Sequence, residues 1–475
     1  MSGPGETIRI EEFTTPYPPR YRWLKRSFLI VGIVLVLLAG LRIWWGWYAH
    51  RCLQAEIDAI HARGEPILPE DFQQPPIPDA DNAAWYLRQA AAAIKSHQVI
   101  DEADTDALWM TAPIGNIAAY MADEQAALRY ARLARQHKQI NWNIKWSGFS
   151  TRFPDLHSQR ELAHLLGVAA AVEHRQAKDA EAIQSVRDLH RVADAMNQFS
   201  PPTLVSHLVG VGIDAVTTDG AMLLSYVLQL SGSNTAEGRQ ISEMIHDLSD
   251  ERQYQLAGVQ CWYGERLLPL DILQTPQWGL LLSPPSVEEK FVHPMYELDV
   301  VQFLDEETQV AEACKQATWP AVRGKLPARV SLNSHGMAFQ ASRFLSSMIR
   351  PSERAILMHF RELAERRGAA VALAIRLYRA DHGDQWPATL EELVPRYIAA
   401  VPVDPFSPTA ATLRYKRDAA GGPILYSVSE DGVDNSGSEQ PIATRRSFPI
   451  NRWETLDAVF HLVYQPPATE PGDSP

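Results

Sequence analysis

Several residues in this sequence are of types that could do chemistry, but their spacing forms no known catalytic motif. Gly210, Gly212 and Ala215 match the G-x-G-x-x-A pattern of dinucleotide-binding loops, yet no strand pattern precedes them, as such a loop requires. The surrounding residues predict a helix, in which small residues allow close packing. Neither a G-x-S-x-G elbow nor a P-loop motif occurs. A nucleophile outside known motifs stays open, because catalytic triads are assembled in space.

The histidines and one acidic pair suggest metal binding or acid–base chemistry, but structural roles explain them better. Four histidines share one region that is predicted to be helical, without an H-E-x-x-H motif: His157, His164, His174 and His190. Glu391 and Glu392 could be the paired carboxylates of a glycosidase. Adjacent helix residues point to different faces, however, and Thr389 with Glu392 predicts a capping box at the start of a short helix. We therefore expect no enzyme activity.

Composition limits the class of protein. The 475 residues carry a net charge of −13, which argues against a general nucleic-acid-binding protein, because such a protein needs a basic face. Hydrophobic residues make up 46% of the chain, as in ordinary globular proteins, and the length is enough for two or three domains. The cysteines are too few for a disulfide framework and form no Cys-x-x-Cys pair: Cys52, Cys261 and Cys314.

A membrane-spanning helix is the clearest feature of the N-terminal region. Between Phe28 and Tyr48 the only charged residue is Arg42, and a helix of this length spans roughly 31 Å, about the thickness of a bilayer core. The stretch WWGWY at its end is typical of an interfacial aromatic belt. A cleaved signal peptide is the alternative, but the apolar run is long for one and WWGW is a poor cleavage region.

Charged residues around this anchor predict its orientation. Four basic residues precede it: Arg20, Arg22, Lys25 and Arg26. The segment after it carries two acidic residues, Glu56 and Asp58, beside His50 and Arg51. The positive-inside rule then places the N-terminus in the cytoplasm and most of the chain outside a single-pass cell membrane. We expect membrane lipid to contact residues 28–48.

Most of the chain after the anchor predicts helices. A helical stripe ends at Gly64, and the Pro-rich linker GEPILPEDFQQPPIPD follows it. Residues 161–198 predict an antiparallel helix pair, Thr203 begins a further helix, and residues 238–268 predict another. Residues 264–298 are rich in Pro, Leu and Trp and are expected to be irregular. These patterns predict a helical bundle or a short solenoid.

The C-terminal part predicts a long helix followed by antiparallel strands. Apolar residues recur on one face of residues 352–380, and Trp386 is expected to fold back onto this helix. Residues 412–416 and 423–428 alternate as strands and are joined by the turn sequence RDAAGG. Residues 458–464 could add a last strand. The pattern therefore predicts a small α+β unit.

The ordered series LYRADHGDQWP, LEELVP, VPVDPF, LRY and LYSVSEDGVDNSG resembles the globular head of the major pseudopilins of type II secretion. The resemblance covers roughly residues 355–437. It implies a head in which a long helix leads into a small antiparallel sheet. The anchor lacks the leader-cleavage motif and the in-membrane glutamate of pseudopilins, and Phe406-Ser407 stands in place of their Trp-Gly. We therefore interpret the head as a module carried by an anchored protein.

The resemblance also implies a metal site. Pseudopilin heads bind calcium in the loop after the sheet, and the corresponding residues are Asp431 and Asp434, with Glu430 and Asn435 nearby. Hard oxygen ligands on a glycine-rich loop suit calcium. The alternative is a solvated turn stabilised by its own Asp and Asn side chains. The resemblance implies no other cofactor and no catalytic residue.

Together these features predict a mainly α-helical protein with a single N-terminal transmembrane helix, an extracytoplasmic helical bundle or short solenoid, and a small α+β pseudopilin-like C-terminal head. The expected segments are a cytoplasmic tail at 1–22, the anchor at 23–48, a stalk and linker at 49–80, the helical domain at 81–350, the head at 351–465 and a disordered tail at 466–475. We expect a structural or binding role with a protein partner in the bacterial envelope, as an accessory of envelope assembly or type II secretion. The alternative is a membrane-anchored hydrolase acting on an envelope polymer.

Overall fold

The structure is a computed structural model that describes residues 21–95, 105–110, 114–148, 151–274, 287–327, 353–417, 422–442 and 451–465. Helices dominate it. In chain order they are α1 (Arg22–Ala62), α2 (Ala83–Ala92), α3 (Thr105–Met110), α4 (Gly115–Asp123), α5 (Gln125–Ala134), α6 (Pro154–Arg175), α7 (Asp179–Asn197), α8 (Leu204–Val227), α9 (Ala236–Ser249), α10 (Arg252–Glu265), α11 (Leu267–Gln274), α12 (Val287–Cys314), α13 (Trp319–Arg323) and α14 (Glu353–Asp381). The strands are β1 (Arg414–Lys416), β2 (Ile424–Ser427) and β3 (Ala458–His461).

Helix α1 is long and apolar enough to cross a membrane. Its most apolar eighteen-residue window has a mean hydropathy of 2.4, and none of that window is buried in the protein. The helix continues well beyond the apolar run, for 41 residues in all. Its later part carries the buried residues Ala49, Leu53 and Ile60, which pack with Val300 and Leu304 of α12. The segment predicted as a stalk therefore lies against the helical domain.

The predicted antiparallel pair is present as α6 and α7, and α8 packs against both. Thr203 begins α8 as predicted. Its hydroxyl oxygen accepts the Ser206 N–H at 3.1 Å, which is one of the first N–H groups of the helix and has no acceptor within the helix. Helix α8 is apolar enough to pass the same length and composition test as α1, but 67% of its apolar window is buried. It is a core helix of the bundle.

Helix α14 joins the bundle to the small sheet. One side of it packs against α8 and α9, and another faces β2. The sheet order is β1-β2-β3, and both pairs are antiparallel, with Leu425 opposite Tyr415 on one side and Phe460 on the other. The long helix, the predicted strand pair and the last strand are therefore confirmed. The Arg379 guanidinium lies 3.9 Å from the centre of the Trp386 ring, so this tryptophan does fold back onto α14.

Three local predictions are wrong. Residues 238–268 are divided among α9, α10 and the start of α11, and the first break is at Asp250, whose carboxylate binds Arg252. Residues 264–298 were expected to be irregular, but α10 ends at Glu265, α11 covers Leu267–Gln274, and residues 287–298 are helical through Pro294; residues 275–286 lie outside the described residues. The helix after Trp386 is a short 3₁₀ turn at Leu390–Leu393 without a Thr389 side-chain cap. Glu392 instead accepts hydrogen bonds from the Tyr378 hydroxyl at 2.6 Å and the Ala388 N–H at 3.2 Å.

Two glycines predict opposite effects of the same substitution. A Cβ added at Gly264 in α10 would overlap the Pro202 carbonyl oxygen, whereas one added at Gly212 in α8 meets no atom within 4 Å. We expect Gly264→Ala to lower the free energy of unfolding by about 3 kcal/mol, because the clash is with backbone. We expect Gly212→Ala to raise it by about 0.5–1 kcal/mol through helix propensity. Thermal unfolding of the detergent-solubilised full chain, followed by circular dichroism, measures both, and equal melting temperatures would contradict the close approach.

Candidate functional site

The segment after the anchor helix is ordered by its own polar contacts. The carboxylate of Asp71 accepts the backbone N–H groups of Ile67 at 2.9 Å and Leu68 at 2.8 Å, and it lies 3.1 Å from Nε2 of His61. The Arg266 guanidinium donates to Glu65 Oε2 at 2.8 Å. The Pro-rich stretch predicted as a linker is therefore packed on the protein beside the end of α1, where it forms one wall of the cavity described below.

The opposite wall consists of the turn between α7 and α8 and the outer face of α10. The Ser200 hydroxyl donates to the Phe72 carbonyl at 2.7 Å and so joins the two walls. On α10, Gln253, Leu256 and Gln260 are spaced three and four residues apart, which places them on one helix face. Leu256 is 45% exposed at the rim.

Between these walls lies a cavity of about 320 Å³, which we call the amide cavity. Six side-chain amides line it: Gln73, Gln74, Asn197, Gln198, Gln253 and Gln260. The Gln198 amide donates to the Asp194 carboxylate at 3.2 Å. Asn197 is buried, and its Oδ1 has no hydrogen-bond partner. The other four make no side-chain hydrogen bond to any part of the chain that the structure describes, so their donors and acceptors are available to a ligand.

The amide cavity was missed by sequence reasoning. The spacing of Gln253 and Gln260, seven residues apart on a helix, was a signal that could have been read from the sequence. The pairs Gln73–Gln74 and Asn197–Gln198 gave no such signal, because they meet α10 only through the tertiary fold. The Ser200–Phe72 bond joins residues 128 positions apart.

The predicted calcium residues lie in an Asx-rich turn. Asp431 accepts the Val433 N–H at 3.0 Å. Asp434 accepts the Ser436 N–H at 2.9 Å and the Arg414 guanidinium at 2.7 Å. Each carboxylate is therefore already hydrogen-bonded, Asp431 within the turn and Asp434 by the turn and by Arg414 of β1.

These contacts do not form a calcium shell, because the Arg414 guanidinium occupies the position that a cation would take beside Asp434. Within the described ranges, no group of three or more His, Cys, Asp or Glu side chains is arranged to hold a metal. The calcium hypothesis stays a prediction, and it requires calcium to displace Arg414 from Asp434.

The histidines considered and set aside as metal ligands in the sequence are not arranged as a metal site among the described residues. His157 is exposed beside Glu161, His174 binds Asp179 at 2.7 Å, and His190 is buried 3.9 Å from Asp214. The Gly210 position in α8 packs closely on Asn197 and Met196, as expected for a small residue at a helix contact. Its role is therefore packing.

A separate group of ionisable side chains is buried where α8, α10 and α14 meet. The Arg366 guanidinium binds the Asp214 carboxylate at 2.6 Å, and both side chains are almost fully enclosed. Burial raises the pKa of Glu362 well above its usual value, and its carboxyl group lies 3.0 Å from the Thr218 hydroxyl. This cluster belongs to helix packing and lacks access to solvent.

Two buried histidines lie beside this cluster. The rings of His207 and His359 are 5.2 Å apart, and the His359 ring stacks on Tyr254 at 4.5 Å. Burial lowers the pKa of His207 to about 4. Burial, with His207 and the nearby arginines, lowers the pKa of His359 well below 6.5. Both imidazoles are therefore neutral at neutral pH.

Burial also determines the state of the inner cysteines. It raises the pKa of Cys261 well above its usual value and the pKa of Cys314 to about 12, so neither is a thiolate at neutral pH. Cys52 on α1 is partly exposed, and all three are free. None of the three forms a nucleophile with a neighbouring base among the described residues.

Comparisons with protein families, with curated proteins and with solved structures found no match to this chain. The resemblance to pseudopilin heads therefore depends on the C-terminal motifs alone.

The buried histidines couple stability to pH. Because the folded pKa of His207 is below the unfolded value near 6.5, its contribution to stability is present above pH 6.5 and is lost as pH falls toward about 4. We expect His207→Leu to lose less stability over this range than the wild type does, by up to about 3 kcal/mol. Val205→Leu, at an exposed position of the same helix, removes no titratable group; it is the control and should leave the pH dependence unchanged. Urea unfolding at pH 6.5 and at about pH 4 measures the loss of stability in each protein. The same loss for His207→Leu and the wild type would refute the prediction.

The calcium hypothesis has a direct test in the melting temperature of the full chain. Calcium that binds only the folded loop stabilises it, so millimolar calcium should raise the melting temperature, and Asp431→Ala should abolish the increase. Asp384→Ala, which removes an exposed carboxylate that is bound to Arg379 outside the loop, should preserve it. If calcium gives no increase in the wild type, the loop is a turn without a metal.

Proposed function

We propose that this chain is a membrane-anchored binding protein that holds a ligand cavity at a set distance outside the membrane. One observation carries the proposal: the segment that forms a wall of the amide cavity follows directly from α1, the helix apolar enough to span a membrane. The later part of α1 is packed against α12, so the cavity follows the position of the anchor.

The lining of the cavity supports binding over catalysis. Side-chain amides neither accept nor release protons near neutral pH, so they suit hydrogen bonding to a ligand and do not suit acid–base chemistry. The one carboxylate in the lining, Asp71, accepts backbone N–H groups of its own wall. A structural or binding role is therefore favoured over hydrolysis.

A second, more specific proposal concerns the cellular pathway in which the protein acts. We propose an accessory role in bacterial envelope assembly or type II secretion, with a protein partner that contacts the C-terminal head. The support is the resemblance of residues 355–437 to pseudopilin heads, together with a long helix that leads to a three-stranded antiparallel sheet. The basic residues before the apolar run of α1 support an extracytoplasmic location for this head.

Cysteine labelling of intact cells tests the location on which the proposal depends. In a Cys52→Ser background, a membrane-impermeant maleimide should label Val433→Cys, a head position that is 55% exposed, and should spare Gly5→Cys. The parent Cys52→Ser chain retains the buried Cys261 and the half-buried Cys314, and its labelling provides the background control. Permeabilised cells should show both engineered positions labelled. Labelling of Gly5→Cys alone in intact cells would reverse the orientation and overturn the envelope role.

A further inference from the structure

The absence of free charge in the lining of the amide cavity indicates which class of ligand it can bind. Its lining contains no Lys or Arg side chain among the residues that the structure describes, and its one carboxylate, Asp71, is engaged by Ile67, Leu68 and His61. A phosphate, carboxylate or ammonium group on a ligand would find no free opposite charge there. Because charged groups that are imperfectly paired lose more hydration than they recover, the cavity favours an uncharged ligand.

Among uncharged ligands, the side-chain amides favour those that carry many hydroxyl groups. Each carboxamide offers two N–H donors and a carbonyl acceptor, and a hydroxyl group likewise donates and accepts. Neighbouring hydroxyls on a sugar ring can therefore pair with both ends of one amide. Gln253 and Gln260 of α10 line the cavity together with Gln73 and Gln74, and none of these four side chains has a hydrogen-bond partner in the described ranges. A ligand dense in hydroxyls satisfies such a set best.

The apolar part of the lining fits the same ligand. Phe72 and Phe199 are buried, 8% and 3% exposed, yet both line the cavity. With the more exposed Leu256 at the rim, these side chains offer an apolar surface to the C–H groups of a sugar, while the amides pair with its hydroxyls. An extended peptide is the competing neutral ligand, but it is usually held by a sheet edge with alternating side-chain pockets. The walls here are a helix, a turn and an irregular segment.

We propose that the amide cavity binds a short stretch of neutral glycan. A volume of about 320 Å³ lies at the small end of ligand sites, which suits a few sugar units and not a long chain. This inference rests on the proposed function in one respect: the proposed topology decides on which side of the membrane the glycan binds. It names the ligand class that the proposed function leaves open.

Titration of the full chain in phosphatidylcholine nanodiscs tests the inference. The probes are two neutral tetrasaccharides, maltotetraose and chitotetraose, and one charged tetrasaccharide, tetragalacturonate. We expect at least one neutral probe to bind at millimolar concentration or below, with little dependence on salt, and the charged probe to bind more weakly. Binding of the charged probe alone, or of no probe, would overturn the inference.

Matched variants on α10 locate the binding. The double variant Gln253→Ala, Gln260→Ala should weaken binding of the neutral probe by about 10-fold or more, because two paired amides are lost. Gln255→Ala is the control: this glutamine is exposed on the same helix, outside the cavity, and donates to Glu251 at 2.7 Å. It should bind as the wild type does. Equal weakening in both variants would place the ligand elsewhere and refute the assignment.

A replacement variant and the labelling experiment described above distinguish loss of the ligand site from loss of folding or of location. If the double variant melts at a lower temperature than the wild type, the single substitution Gln260→Glu replaces it, since this change preserves size but removes the donor and adds charge. It should also weaken binding of the neutral probe, and unchanged binding would contradict the proposal. The labelling of Val433→Cys does not depend on any ligand. Correct labelling without glycan binding therefore overturns this inference and leaves the anchored location standing.

Discussion

The part of the protein around the end of α1 depends on one buried guanidinium. Arg266 lies at the join of α10 and α11, wholly enclosed, and donates to Glu65 Oε2 and to Thr308 Oγ1, each at 2.8 Å. These three residues belong to the segment after the anchor, to the α10–α11 join and to α12. Burial lowers the pKa of Arg266, and the hydrogen bond that Arg266 donates to Glu65 opposes that shift. Because an unpaired buried charge costs several kcal/mol, the three parts hold together as long as the pair does.

Apolar packing makes the same connection beside this ion pair. Leu53 and Ile60 of α1 meet Val300 and Leu304 of α12, and His50 lies 3.4 Å from Glu297. The helix from Tyr48 to Ala62 covers roughly 21 Å along its axis, so the wall of the amide cavity begins about that far beyond the aromatic end of the apolar run. A continuous helix with side-chain packing on one face transmits the position of the anchor better than a flexible linker would.

Local signals predicted the elements whose causes are local. The apolar run of α1, the Thr203 cap of α8 and the alternating strands could be read from neighbouring residues, and the structure has all three. The failures have non-local or competing causes. Glu392 contacts Tyr378 of α14 and does not form the predicted capping box, and the Pro-rich segment is ordered by Arg266, about two hundred positions away. The amide cavity could not be predicted, since its walls come from three distant parts of the chain.

The C-terminal helix shows why the head and the bundle share one core. Seventeen residues of α14 are buried, distributed around the helix, because α8 and α9 cover one side while the sheet covers another. At Gly368 an added Cβ would lie 2.9 Å from the Phe460 ring of β3, so the helix and sheet are in close contact there. On another part of the helix, Arg366 is paired with Asp214 of α8. An α14 separated from the bundle would expose both an apolar face and this guanidinium to water. The described motifs at residues 378–417 and 422–437 thus form the outer layer of a core that begins in the helical domain, and α1, the cavity and the sheet are connected through packed helices.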